Sequence, residues 1–228
     1  MVKLKEINWF RASTDIRMNE FKDYADNIHS FLEQQLKLME EDFDKMAAGL
    51  TDDEKGNLFE GMFENDFYNF NKSFPNILRE SLFISCYSYL EKELMNLCKF
   101  IERSNDFKIG LSDLKHKGII KTKVFIEKVA EVDFPEDTQS WNKILKFNII
   151  RNHIVHEGTY TIERGSKIFN ACRDLSTISL EHRFTNRETQ KEYYRLQLTG
   201  DFCLDFISTV SEFFSELYKA FDITNSSK

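Results

Sequence analysis

From Ser13 to Ala48 the chain runs for 36 residues without a glycine or a proline, and apolar side chains return at Phe21, Tyr24, Ile28, Phe31, Leu32, Met39, Phe43 and Met46. Three-and-four spacing of this kind predicts one long amphipathic helix, whose apolar stripe must lie against something. The rest of the chain is almost as poor in breakers: 228 residues hold eight glycines and two prolines, beside 22 phenylalanines. That balance disfavours disorder, collagen-like sequence and turn-rich all-β architectures. An all-α fold with a large aromatic core is expected.

Punctuation divides the helices. Gly49 suits a helix C-terminus, and Thr51-Asp-Asp-Glu54 has the form of a capping box that opens a second helix, so the N-terminal region reads as a helical hairpin. Gln35 and Asp42 fall on the seam of a heptad reading, which favours packing on the domain over an independent coiled coil. Pro75 sits early in a second long helix with apolar positions at Leu78, Leu82, Ile84, Tyr87, Leu90, Leu94, Leu97 and Ile101. A helix over 119–132 follows, ending before Pro135, and another runs from Trp141 to a glycine stop at Gly158. Alternating segments around 176–184 and 192–200, split by a polar stretch, predict a β-hairpin. A last helix from Phe202 leaves 222–228 as a frayed tail. The organisation expected is an acidic helical extension over 1–72, packed on a helical domain over 73–228 that carries a small β-hairpin insertion at about 175–200 before its final helix.

Charge is uneven. Residues 1–70 hold 8 basic and 16 acidic side chains, whereas 71–228 hold 23 and 22. A polyanion would therefore meet the C-terminal part, where Lys115, Lys117, Lys121, Lys123 and Lys128 stand against one glutamate; a solvated helix face accounts for the same cluster. The four cysteines are widely spaced, which signals neither a zinc site nor a disulfide framework. No run reaches the roughly 18 apolar residues of a membrane span, and no apolar leader follows the first lysines. A cytoplasmic protein without a membrane partner is expected.

One stretch breaks the pattern. Arg151, Asn152, His153 and His156 interrupt an Ile-, Val- and Phe-rich helix, and polar groups in such a setting are either paired or line a site. On a helical wheel Asn142, Lys146 and His153 share a narrow polar strip, the expected solvent edge, whereas Arg151, Asn152 and His156 lie off it on an arc of about 140°. Asn152 and His156 are four apart, so the amide is placed to orient the imidazole. A guanidinium that grips phosphate oxygens and an imidazole that titrates near neutral pH together suit phosphodiester chemistry.

Arg151-Asn-His-Ile-Val-His156 resembles the RxxxxH motif, with a polar residue after the arginine, of the HEPN superfamily (higher eukaryote and prokaryote nucleotide-binding domains). Residues 81–98 resemble its early long helix and 141–158 its motif helix, the likeness covering roughly 76–220. The resemblance implies a HEPN-like bundle and a metal-independent endoribonuclease, in which the RNA 2′-hydroxyl attacks phosphorus and leaves a 2′,3′-cyclic phosphate. It implies a homodimer with a composite cleft, no cofactor, and a toxin or anti-phage effector restrained by an antitoxin or regulatory protein. In these terms Arg151 holds the scissile phosphate, His156 moves the proton and Asn152 orients it. Lys115, Lys117, Lys121 and Lys123, with Tyr87 as a stacking ring and His153 at the rim, are candidate RNA contacts, and Glu91 is a candidate partner of Arg151. The alternatives are a paired Arg and His that only staple helices, a metal shared by His153 and His156, and a catalytically silent dimer that binds a nucleotide or a protein.

Overall fold

The structure is a computed structural model describing residues 4–158 and 160–226. Helix α1 spans Leu4–Ala47, longer at its start than the periodicity indicates, because Ile7, Phe10, Thr14 and Met18 are already buried. Its early half lies along α8 (Phe202–Ser226) and α4 (Phe74–Ser104). The expected extension is therefore core through about residue 32; beyond Leu32, Ala47 is its only buried residue. Gly49 takes a φ of +83°, a left-handed conformation that glycine adopts freely, and the chain turns there. Thr51 caps α2 (Asp52–Leu58) through the capping box foreseen, donating its backbone N–H to Glu54 while its hydroxyl accepts from the Glu54 N–H.

The path from Asp52 to Ser104 is continuously helical, interrupted by two π turns at Phe59–Phe63 and Asn69–Ser73 that flank α3 (Glu64–Tyr68). The second π turn directly precedes Phe74-Pro75; proline has no N–H to donate, and the wider turn ends there. Helix α5 (Gly118–Val124) runs into a further π turn, and α6 spans Gln139–Glu157. The hairpin strands β2 (Ile178–Thr185) and β3 (Glu192–Leu198) pair in antiparallel register with Leu180 opposite Leu196. A third strand, β1 (Thr161–Glu163), adds to the free edge of β3, and a short helix α7 (Lys167–Arg173) follows it. Neither element shows in the sequence pattern, because three residues of strand and two turns of helix are too short to establish a periodicity. The tail expected to fray from 222 instead continues α8 to Ser226, and residues 227–228 lie outside the described residues.

Phenylalanines join α4, α6 and α8. Phe83 of α4 lies 4.9 Å from Phe206 and 5.0 Å from Phe202 of α8, and Phe147 of α6 lies 4.8 Å from Phe206. Trp141 packs beside Phe134 and Phe213 at the other end of α6. All four cysteines are free and buried, and burial pushes their thiols upward, to about 12 for Cys172 and Cys203. No helix is long and apolar enough to cross a membrane.

One buried carboxyl has a measurable consequence. Glu93 on α4 is 6% exposed, its Oε1 meets no hydrogen-bond partner among the described residues, and burial raises its pKa, with Asn96 and Lys92 partly offsetting this. The folded state thus holds this proton more tightly than the unfolded chain does, so stability contributed here increases as pH falls toward the unfolded carboxyl range and is lost as pH rises. Glu93→Gln is expected to raise the melting temperature at pH 7.5 more than at pH 5. Equal shifts at both values would contradict the assignment.

Candidate functional site

Helix α6 starts and stops where local chemistry dictates. The Thr138 hydroxyl accepts from the Trp141 N–H, and Gly158, at φ +59°, ends the helix in the left-handed conformation. Trp141, Ile144, Phe147 and Ile150 form a buried series of three-residue steps, and His153 continues it. The solvent edge expected at Asn142, Lys146 and His153 is therefore wrong at its last member. His153 is 6% exposed, and its Nδ1 faces Glu157 at 3.1 Å. A wheel assumes the same neighbours along a whole helix, whereas α6 meets α4, α7 and α8. So placed, His153 is not a rim contact for RNA.

Arg151, half-buried, points toward α4. Its guanidinium carbon stands 5.6 Å from the centre of the Tyr87 ring, a cation–π arrangement, and its Nη1 donates to the Asn152 side-chain oxygen at 3.0 Å. The nearest carboxylate is Glu91, whose Oε2 is 3.8 Å from Nη2. Direct charged hydrogen bonds between nitrogen and oxygen are about 2.7–2.9 Å, so this pair attracts without locking. Among the described residues no group accepts from the buried Nε.

Tyr87 is fully buried, which excludes it as a stacking platform for a base; α8 covers it, with the Phe206 ring stacked at 6.1 Å. Among the described residues its buried hydroxyl meets no hydrogen-bond partner, and burial, followed by the Glu91 charge, raises its pKa, which Arg151 partly counters. Tyr87 is the floor under Arg151 rather than a ligand contact.

Asn152 also departs from expectation. It accepts from Arg151 and donates through Nδ2 to Asn148 Oδ1 at 3.0 Å, so its amide steadies the arginine instead of the His156 ring. Asn148, one turn earlier, is the residue that sequence reasoning missed; its spacing of four from Asn152 was the available signal. His156 is exposed, as are Asn152 and Val155 around it, and among the described residues no hydrogen bond joins His156 to Arg151 or Asn152. The imidazole occupies the open end of the helix, five residues from the arginine.

The lysine cluster divides in two. Lys123 is taken by Glu136 and packs over the Phe134 ring, and Lys128 pairs with Glu127. Lys115 and Lys117 are exposed and Lys121 is half-exposed. The beginning of α5 passes close to the arginine's neighbour: a Cβ placed on Gly118, whose φ is +53°, would come 3.0 Å from Glu91 Oε1. Lys117, adjacent in the chain, therefore lies on the Glu91 side of the site. No group of three or more His, Cys, Asp or Glu side chains is gathered for a metal among the described residues. Comparison with known proteins finds no matching family model, no similar curated protein and no similar solved structure.

Proposed function

We propose that this chain is a HEPN-type endoribonuclease whose phosphate-binding group is Arg151 and whose proton-transfer group is His156. The observation that carries the reading is the state of Arg151: steadied by the Tyr87 ring and the Asn152 oxygen, yet 3.8 Å from its nearest carboxylate. A guanidinium fully engaged by a buried carboxylate would have no fork left for a phosphate, whereas this one keeps donors in hand.

In the reaction a base removes the 2′-hydroxyl proton as that oxygen bonds to phosphorus. The 5′-oxygen leaves with a proton from an acid, and a 2′,3′-cyclic phosphate remains. Two proton-transfer groups serve the two oxygens best. One copy offers a single His156, so a second copy related by a two-fold axis supplies the other, together with its own Arg151. The exposure of Val155 and His156 at the end of α6 suits such a shared cleft.

The other reading, a catalytically silent dimer that binds a nucleotide or a protein, draws support from Asn152. That amide is occupied by Arg151 and Asn148, so it does not set the tautomer of His156. The two readings part on incubating purified protein with total RNA in EDTA, beside Arg151→Ala and His156→Ala, and mapping the product ends. Cleavage by wild type alone with cyclic phosphate termini supports the enzyme; identical RNA profiles from all three support the silent module. For RNA retention, Lys117→Glu and Lys121→Glu are each expected to weaken binding across unrelated sequences and to lower the salt dependence by about one counterion. Unchanged salt slopes in filter binding would remove these lysines from the RNA surface.

A further inference from the structure

The far end of the N-terminal hairpin has an apolar face that no other part of the described chain covers. Between Asp52 and Ser73 no residue is buried, although the segment carries Phe59, Met62, Phe63, Phe67, Tyr68 and Phe70. Phe43 of α1 meets Phe59 and Phe63 edge to face at 5.8 and 5.4 Å, and Phe59 meets Phe67 at 5.7 Å. These rings build a ridge rather than a closed core. An open groove of about 560 Å³ lies on one side, against Met39 and Phe43, and one of about 930 Å³ on the other, reaching Tyr68. Phe59 and Phe67 wall both grooves. Met62 remains 62% exposed and Tyr68 57%.

Charge selects what can lie there. Residues 33–68 hold eleven acidic side chains and three lysines, a net charge of −8, while the other 192 residues hold 28 basic and 27 acidic side chains. The negative excess of the protein is therefore concentrated around this aromatic ridge, with Glu40 and Asp44 on the rim of one groove and Glu60 and Glu64 on the rim of the other, where Lys72 at the far end is the one basic side chain. Nucleic acid and anionic membrane are repelled. A second copy docking tip to tip would set −8 against −8 within a Debye length of about 8 Å.

We infer that the hairpin tip is a docking surface for a basic amphipathic helix of another protein, whose apolar side chains enter the two grooves and whose lysines or arginines meet the acidic rims. The ridge residues Phe59, Phe63 and Phe67 repeat every four positions, the spacing at which one helix lays its side chains between the turns of another. The segment 52–68 is about 25 Å long at 1.5 Å per residue, which fits a partner helix of roughly 16 to 18 residues. The surface lies in the region of the chain outside the RNA-cleaving residues, so the inference stands whether or not those residues are catalytic.

The test uses the full-length protein and a fluorescein-labelled 18-residue helical peptide with leucine at one-face spacing and lysine elsewhere. Its controls are a scrambled peptide of the same composition and a version with glutamate for lysine. Fluorescence anisotropy is expected to show the lysine amphipath binding at least tenfold more tightly than either control, and binding that weakens as salt is raised. Glu60→Lys/Glu64→Lys, two exposed positions whose change leaves the fold intact, should weaken it at least tenfold, as should Phe63→Ser. Equal binding of the scrambled peptide overturns the proposal by reducing it to bulk charge. Equal binding by the Glu60→Lys/Glu64→Lys protein overturns it by placing the peptide elsewhere. A wild-type dimer in light scattering that Phe63→Ser converts to monomer also overturns it, because the occupant is then a second copy.

Discussion

Replacing Arg151 by alanine is expected to reduce RNA cleavage by at least about a hundredfold, the usual cost of removing one preorganised donor to a developing oxyanion. The melting temperature should stay close to that of the wild type. The asymmetry follows from the geometry. The ion pair with Glu91 is long and partly exposed, 22% for the arginine side chain and 31% for the glutamate, so its loss costs little stability. Among the described residues the guanidinium is the only cation over the Tyr87 ring. Arg151→Lys retains the charge but not the fork and should recover only a small part of the rate. Initial rates on a labelled RNA, measured alongside thermal melts, decide the matter: a variant that keeps half of the wild-type rate would remove Arg151 from the reaction. In the proposed mechanism His156→Ala should fail equally in rate while leaving RNA retention near normal, because the exposed imidazole is assigned to proton transfer rather than to phosphate binding.

The second large effect concerns Phe206. This ring is fully buried at the meeting point of α4, α6 and α8, 4.9 Å from Phe83, 4.8 Å from Phe147 and stacked at 6.1 Å on Tyr87. Truncation to alanine is expected to cost about 3–5 kcal/mol through lost burial and the cavity left behind. For a chain of this size that corresponds to a fall in melting temperature of roughly 10 °C. Because the Tyr87 ring rests on Phe206 and supports Arg151, the variant should also lose activity below its melting point. Phe206→Leu keeps much of the volume and should restore both properties in large part. A melting temperature within 2 °C of wild type in Phe206→Ala would show that these rings do not bear the packing assigned to them.

How much of this was legible beforehand differs from element to element. The capping box at Thr51, the glycine stops at 49 and 158 and the hairpin near 175–200 were readable because each is a local rule: a hydroxyl three residues before a carboxylate, a residue free to take positive φ, an alternation of two. In the candidate site, the pairing of Arg151 with Glu91 was anticipated from sequence, but the nature of the pair was not. Whether it lies at 2.8 or 3.8 Å depends on how α4 and α6 cross, which no spacing along either helix encodes. Tyr87 and His153 were misplaced for a related reason. Their positions on a wheel are correct, but a wheel has no neighbours, and α8 buries the first while the packing around α6 buries the second.

By itself, the sequence determined the helical class, the helix boundaries marked by a local signal at Gly49, Thr51 and Gly158, and the presence of an arginine and a histidine five residues apart in an otherwise apolar helix. These are properties of short-range backbone geometry, and residues within one or two turns suffice to specify them. Tertiary structure alone decided that the first half of α1 is core, that Asn152 serves Arg151, that Lys123 is occupied while Lys117 stays exposed near Glu91, and that the acidic tip leaves its rings half-covered. Burial and pairing are set by whichever surface arrives from elsewhere in the chain, and that arrival depends on the packing of all the long helices at once.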